Sequence, residues 1–185
     1  EPHRLDFKEA AMAHVFLTGQ TRSGKTNAQQ LIAWNLLRNG CQLLIFDTAK
    51  MGHTWRAFEG TDGLLHPVVA SIPEAEATLV YLAAEINRRA NNSNHEPIFI
   101  VIDELKALLT DAGEQAKASL SRVAALGGEF GLHLILATQY PQIKLLGSAE
   151  LKRNITTRLC GKVDDATSAA NALGVGGSGA EALQG

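Results

Sequence analysis

The stretch Gly19-Gln20-Thr21-Arg22-Ser23-Gly24-Lys25-Thr26 constrains this chain more than any other feature. It reads G-x-x-x-x-G-K-[ST] and lies between a short apolar, β-prone run, His14 to Thr18, and a segment in which Ala28, Leu31, Ile32 and Leu36 share one helical face. Strand, glycine-rich loop and helix in that order make a phosphate-binding loop. Glycine lets backbone N–H groups turn inward onto phosphate oxygens, Lys25 neutralises charge, the Thr26 hydroxyl can coordinate magnesium, and the helix adds its positive dipole end. Chance gives this pattern in about one chain in two hundred of this length, and the flanking strand and helix make coincidence rarer still. All eight residues are therefore assigned to nucleotide binding, with Lys25 also catalytic and Thr26 a metal ligand.

Further strands are predicted at Leu43–Phe46, Ile98–Ile102, Leu132–Thr138 and Ile155–Val163, with a shorter one at His66–Ala70. Between them, Pro73 to Arg89 carries a broad apolar stripe with Ser71 as a candidate cap, ended by the polar loop Asn91–Asn94. Lys106 to Leu126 reads as helix broken at Asp111-Ala112-Gly113. Continuous apolar strands alternating with amphipathic helices need a parallel sheet covered on both faces, so the fold class is α/β. One domain over 1–185 is expected, with 1–12 and 174–185 as flexible ends, and a first residue Glu1 rather than Met points to a piece of a longer protein.

The run Ile98-Phe99-Ile100-Val101-Ile102-Asp103-Glu104 ends a buried strand in two carboxylates. Asp103, at the strand tip, is the second metal ligand, and Glu104 is placed to orient and deprotonate an attacking water. The next strand ends in Gln139, a neutral amide suited to sensing a γ-phosphate or that water. ATP and Mg2+ are the implied cofactors, and a small-molecule kinase is disfavoured because Glu104 and Gln139 suit activation of water.

Phe130-Gly131-Leu132-His133-Leu134-Ile135-Leu136-Ala137-Thr138-Gln139-Tyr140-Pro141 resembles the GIHLxLATQRP segment of the FtsK/SpoIIIE translocases, within the FtsK/HerA superfamily. Leu44 to Met51 is similar to their strand ending in Asp-Pro-Lys, Lys152 to Leu159 to their K-x-N-I-P-T-R-I element, and Gly179 to Gly185 to their G-A-E-x-L-x-G segment. The resemblance implies a RecA-like P-loop NTPase that assembles as a ring homo-oligomer, usually a hexamer, and drives double-stranded DNA through its channel. It also implies an arginine supplied to the neighbouring subunit's site. Arg158 matches the family position, with Arg122 and Arg153 as alternatives.

Three departures stand out. Arg22 replaces the loop's usual glycine, Tyr140 replaces the usual arginine after Ala-Thr-Gln, and the region between Arg89 and Ile98 is short. A net charge of -2 excludes a protein that coats nucleic acid with its whole surface. Any DNA contact must be local, from Lys144, Lys152 and Arg153 around Gly147, or from Lys106, Lys117 and Arg122. Cys41 and Cys160 are too few for a disulfide framework and read as buried free thiols of a cytoplasmic protein. The histidines show no zinc-ligand spacing, and no apolar run reaches membrane-spanning length, which leaves membrane anchors and DNA-reading modules to regions outside this chain. The alternative reading is a nucleotide-dependent coupling or assembly ATPase of a secretion or conjugation apparatus that does not itself move DNA.

Overall fold

A computed structural model describes residues 7, 13–92, 95–139 and 153–183. Five parallel strands form one sheet: β1 (Val15–Thr18), β2 (Gln42–Phe46), β3 (Ile98–Ile102), β4 (Leu132–Thr138) and β5 (Thr157–Cys160), in the spatial order β2-β3-β4-β1-β5. The helices are α1 (Lys25–Arg38), α2 (Ile72–Ala90), α3 (Leu105–Asp111), α4 (Glu114–Leu126) and α5 (Ala166–Leu173). This is the α/β sheet expected from the alternation of apolar strands and amphipathic helices, and it has the RecA-like form that the resemblance implies.

Alternation along each strand divides the core into two layers. Leu44, Phe46, Ile98, Ile100, Ile102, Leu132, Leu134 and Leu136 face α2, α3 and α4 on one side. Leu43, Ile45, Phe99, Val101, Ile135 and Ala137 face the other, where α1 packs together with Trp55 and Phe58 from the 3-10 segment His53–Phe58. Both faces are thus dry, which is what a parallel sheet requires. Trp55 is a fully buried core residue, and the Trp34 ring lies 4.6 Å from Phe58.

Four details differ from the sequence reading. The expected strand His66–Ala70 reduces to one isolated parallel bridge, Phe46 to Val69, because Pro67 has no N–H for a ladder. The fifth strand is shorter than Ile155–Val163, as an edge strand hydrogen-bonded on one side only and half-exposed. Ser71 stands at the N-cap of α2 without a side-chain cap bond, and Glu74 instead accepts from the Ala70 N–H at 3.1 Å. Cys41 and Cys160 are free but only half-buried. Within the glycine-rich end, Ala180 belongs to a 3-10 turn and is buried in a small cluster with Val163 and Ala169. None of the described helices is long and apolar enough to cross a membrane.

Candidate nucleotide site at the carboxyl edge of the sheet

The register aligns the strand tips: Thr18 of β1 sits opposite Thr138 of β4 and Cys160 of β5, and Phe46 of β2 opposite Ile102 of β3. Because all five strands run parallel, the residues that follow these tips gather along one edge, where ligands of such sheets bind. Those residues are the loop from Gly19, then Asp47, Asp103, Gln139 and Gly161.

The loop follows β1 without a break. Gly19 has φ +149°, where an L side chain is strained, and a Cβ there would come within 2.5 Å of Ser23 Oγ and 3.3 Å of Gly161 Cα, so a side chain would also push Ser23 aside and crowd Gly161. Gly24 has φ +86° in open space, so its requirement is conformational. Arg22, in the position where the family carries glycine, takes φ 66°, a left-handed conformation that costs an L-residue about 1–2 kcal/mol. Lys25 folds back on its own loop, its Nζ donating to the carbonyls of Gly19 and Gln20 at 2.8 Å each. Burial pushes the Lys25 ammonium below its usual value; Glu104 and Asp103 counteract this, and Lys50 adds to it. A cavity of about 330 Å3 lined by Arg22, Gly24, Lys25, Thr26 and Asn27 opens beside the loop.

Thr26, in the first turn of α1, directs its hydroxyl to the Asp103 carboxylate, 3.2 Å from Oδ1 and 3.4 Å from Oδ2. A hydroxyl and a carboxylate brought together in this way are hard oxygen donors of the kind magnesium takes, usually while keeping several waters. Asp103 is buried. Its second oxygen also receives the Lys50 ammonium at 3.3 Å.

Glu104 turns the chain from β3 into α3 through a left-handed φ of 64°. Its Oε1 accepts from the Thr138 hydroxyl at 2.9 Å and lies 3.5 Å from the Gln139 amide nitrogen. Gln139 in turn is pinned to the phosphate loop, since the Thr21 hydroxyl donates to its Oε1 at 2.7 Å. The predicted acid, amide and lysine therefore converge on one edge, tied together by hydroxyls from Thr21, Thr26 and Thr138.

Four contributors were given no role from sequence, although Asp47 and Lys50 lie in the segment that resembles the family's Asp-Pro-Lys strand. Asp47, fully buried, accepts the backbone N–H groups of Lys50 and Thr54 at 3.2 Å each and so shapes the loop that carries Lys50. Burial raises its carboxyl above the usual range, against those N–H bonds. Gln29, one turn beyond Lys25 and wholly buried, donates to the carbonyls of Ile102 (3.1 Å) and Ile135 (3.0 Å), bracing the loop's helix against β3 and β4. Thr138 and Lys50 complete the set. A buried polar residue inside the apolar pattern of a helix was the one available signal for Gln29; the others depend on contacts between distant segments.

The segment after β5 rims the loop. Gln20 N–H donates to the Lys162 carbonyl at 2.8 Å, and the Gln20 side-chain amide donates to Asp164. Arg158, opposite Phe16 in the register, donates through Nε to the Ile155 carbonyl at 3.2 Å and lies against Gly174. Of the residues expected near DNA, Arg122 donates to Asn87 at 2.6 Å and Lys117 pairs with Glu114 at 3.0 Å. Lys144, Lys152 and Tyr140 lie outside the described residues.

A sequence model of the FtsK/SpoIIIE family matches residues 1–96, about half of the chain. The DNA translocase FtsK of Staphylococcus aureus is 26% identical over 198 residues, covering 90% of this chain and 25% of the translocase. That of Treponema pallidum is 27% identical over 186 residues, covering 86% and 23%. This chain thus spans about a quarter of the length of these relatives. Among solved structures, the monomer form of the pCW3 conjugation coupling protein TcpA with ATPgS matches at a TM-score of 0.80 and 23% identity, over 92% of this chain and 54% of that one. The cytoplasmic domain of the Thermomonospora curvata type VII secretion ATPase EccC matches at 0.73 and 23% identity, over 97% and 24%. At that identity the likeness is one of fold.

Proposed function

This chain belongs to the FtsK/SpoIIIE family, and from that membership together with the site at the sheet edge we propose that it is the ATP-hydrolysing core of a double-stranded DNA translocase. It works as a ring homo-oligomer, a hexamer, in the cytoplasm, serving chromosome or plasmid segregation, conjugative transfer or DNA packaging. The observation that carries the ATPase part of the reading is the meeting of Thr26 and Asp103, 77 residues apart in sequence, beside a loop built to bind phosphate, and the translocase part rests on family membership.

Bound magnesium would supply charge neutralisation and Lewis-acid polarisation of the phosphates, held by Thr26 and Asp103. The chain's own residues do the rest. The backbone of Gly19 to Thr26 and the amino end of α1 bind the triphosphate, and Lys25 exchanges the carbonyls of Gly19 and Gln20 for phosphate oxygens. Glu104 orients the attacking water and accepts its proton, held in place by the Thr138 hydroxyl. Gln139, released by Thr21, registers the terminal phosphate. Arg158, on the edge strand, serves the adjacent subunit's site; such an arginine is worth about 10³–10⁵ in rate. In a ring each modest basic patch repeats around the channel, so a chain with a net charge of -2 can still meet many phosphates.

The test is ATP hydrolysis by the full-length protein with and without double-stranded DNA at low salt. Stimulation is expected, and none would contradict the reading. The structural likeness to a conjugation coupling protein and a secretion ATPase favours one competing reading, a coupling or assembly ATPase. Single-molecule tracking separates the two, because directional ATP-dependent motion along DNA belongs to a translocase alone.

A further inference from the structure

Lys50 has no part in the site as derived from the phosphate loop and the acid-tipped strand, yet its ammonium reaches the same carboxylate that Thr26 does. Its Nζ lies 3.3 Å from Asp103 Oδ2 although 53 residues separate the two in sequence. The approach is built rather than incidental. Asp47 anchors the loop by accepting the N–H groups of Lys50 and Thr54, the Gly52 N–H donates to the Asp47 carbonyl at 3.0 Å, and Met51 takes a left-handed φ of 51° to complete the turn. A strained non-glycine residue persists only where the surroundings over-determine it. Here they hold Lys50 over the metal-binding carboxylate.

We propose that Lys50 is a second phosphate-binding lysine of this site, parked on Asp103 when the site is empty and transferred to the terminal phosphate of the nucleotide when magnesium takes the carboxylate. The proposal rests on the nucleotide-site reading above. Three observations support it. First, the Lys50 side chain is 51% exposed, so its pair with Asp103 is of the weak, solvent-screened kind and is readily exchanged. Second, a divalent cation on the Asp103 oxygens would repel the ammonium, and Lys25 already meets Lys50 as a like charge, so incoming phosphates would offer Lys50 a stronger partner than the occupied carboxylate.

Third, the direction of approach selects the terminal phosphate. The sheet order runs β2, β3, β4, β1, so Lys50, following β2, comes from beyond Asp103 as seen from the loop that follows β1. The loop cradles the proximal phosphates, and the metal-binding pair lies towards the β- and γ-oxygens. A cation arriving from the far side of that pair therefore meets the end of the chain of phosphates. Lys50 is thereby a group that distinguishes ATP from ADP.

The experiment is equilibrium binding of fluorescent ADP and of ATPγS, each with magnesium, to the wild-type chain and to Lys50→Gln and Lys50→Arg, with thermal melting of every variant as a check on folding. Loss of one charge-assisted bond to the terminal phosphate should weaken ATPγS about 10- to 100-fold in Lys50→Gln while ADP stays within about threefold. Lys50→Arg, which keeps the charge, should recover most of the preference. An unchanged ratio of the two affinities in Lys50→Gln overturns the proposal. So does an equal loss of both ligands, which would mark Lys50 as a brace for Asp103. Failure of the wild-type chain to bind either nucleotide would instead sink the nucleotide-site reading itself.

Discussion

The two ends of the sheet are built on opposite terms. At the carboxyl edge lie all three non-glycine residues with positive φ among the described residues, Arg22, Met51 and Glu104, in the segments that follow β1, β2 and β3. At the amino edge no described non-glycine residue has positive φ, and Glu85, Arg89 and His14 are buried and hydrogen-bonded. Arg89, 4% exposed, pairs with Glu85 at 2.8 Å and donates to the carbonyls of Glu96 and Phe130 at 2.9 Å each, joining α2 to the starts of β3 and β4. The His14 Nδ1 accepts the Leu134 N–H at 3.0 Å, joining β1 to β4. One end stores strain where a ligand can use it; the other fixes the strands so that the strained loops have a rigid base.

If that division holds, substitutions at the two ends should separate binding from stability. The largest effect belongs to Lys25→Ala, expected to abolish measurable nucleotide binding in a fluorescence titration while leaving the melting temperature nearly unchanged. Glu104→Gln should keep nucleotide affinity within a few-fold and lower turnover by about 10²–10⁴, read by phosphate release; equal loss of binding in both variants would erase the distinction between the two roles. At the amino end, Arg89→Met removes one of the two arginines on buried Glu85 and leaves the Glu96 and Phe130 carbonyls without their donor, and should cost about 3–5 kcal/mol in a urea melt, with nucleotide affinity per folded molecule unaltered.

Acidification gives a smaller effect at the same end. Burial, helped by the neighbouring His133, lowers the His14 pKa to about 4 from 6.5. Protonation therefore disfavours the fold: its contribution is intact above pH 6.5 and is lost as the pH falls towards 4, on the order of 3 kcal/mol in all. Urea melts between pH 7 and pH 4.5 should show that slope, and His14→Asn should flatten it. Glu85 titrates in a lower window. Hydrogen bonds from Arg88 and then Arg89 hold it down to about 2, so its contribution is present above 4.5 and lost only in stronger acid. The smallest effect is expected for Arg22→Gly, a gain below about 1 kcal/mol in melting because relief of the left-handed strain is partly cancelled by glycine's greater chain entropy.

Legibility in the sequence followed burial. The bounds of β3 and β4 were readable because both strands are dry on both faces and their apolar runs stop at polar residues. β5 was overestimated because an edge strand ends where its single ladder ends, which apolar residues such as Val163 do not announce. The loop Gly19 to Thr26 and the pair Asp103-Glu104 were legible since their spacing is local. The contacts of Lys50, Thr138 and the Thr21 hydroxyl were not, because each acts on a residue 34 to 118 positions away, and only the folded sheet brings those partners together.

A structure of this chain with magnesium and a non-hydrolysable ATP analogue tests the central claim most directly. The account predicts the triphosphate in the loop Gly19 to Thr26, with Lys25 turned from the carbonyls of Gly19 and Gln20 onto phosphate oxygens and the metal between Thr26 and Asp103. A nucleotide bound elsewhere, or bound with the Lys25 contacts to those carbonyls intact, would contradict it.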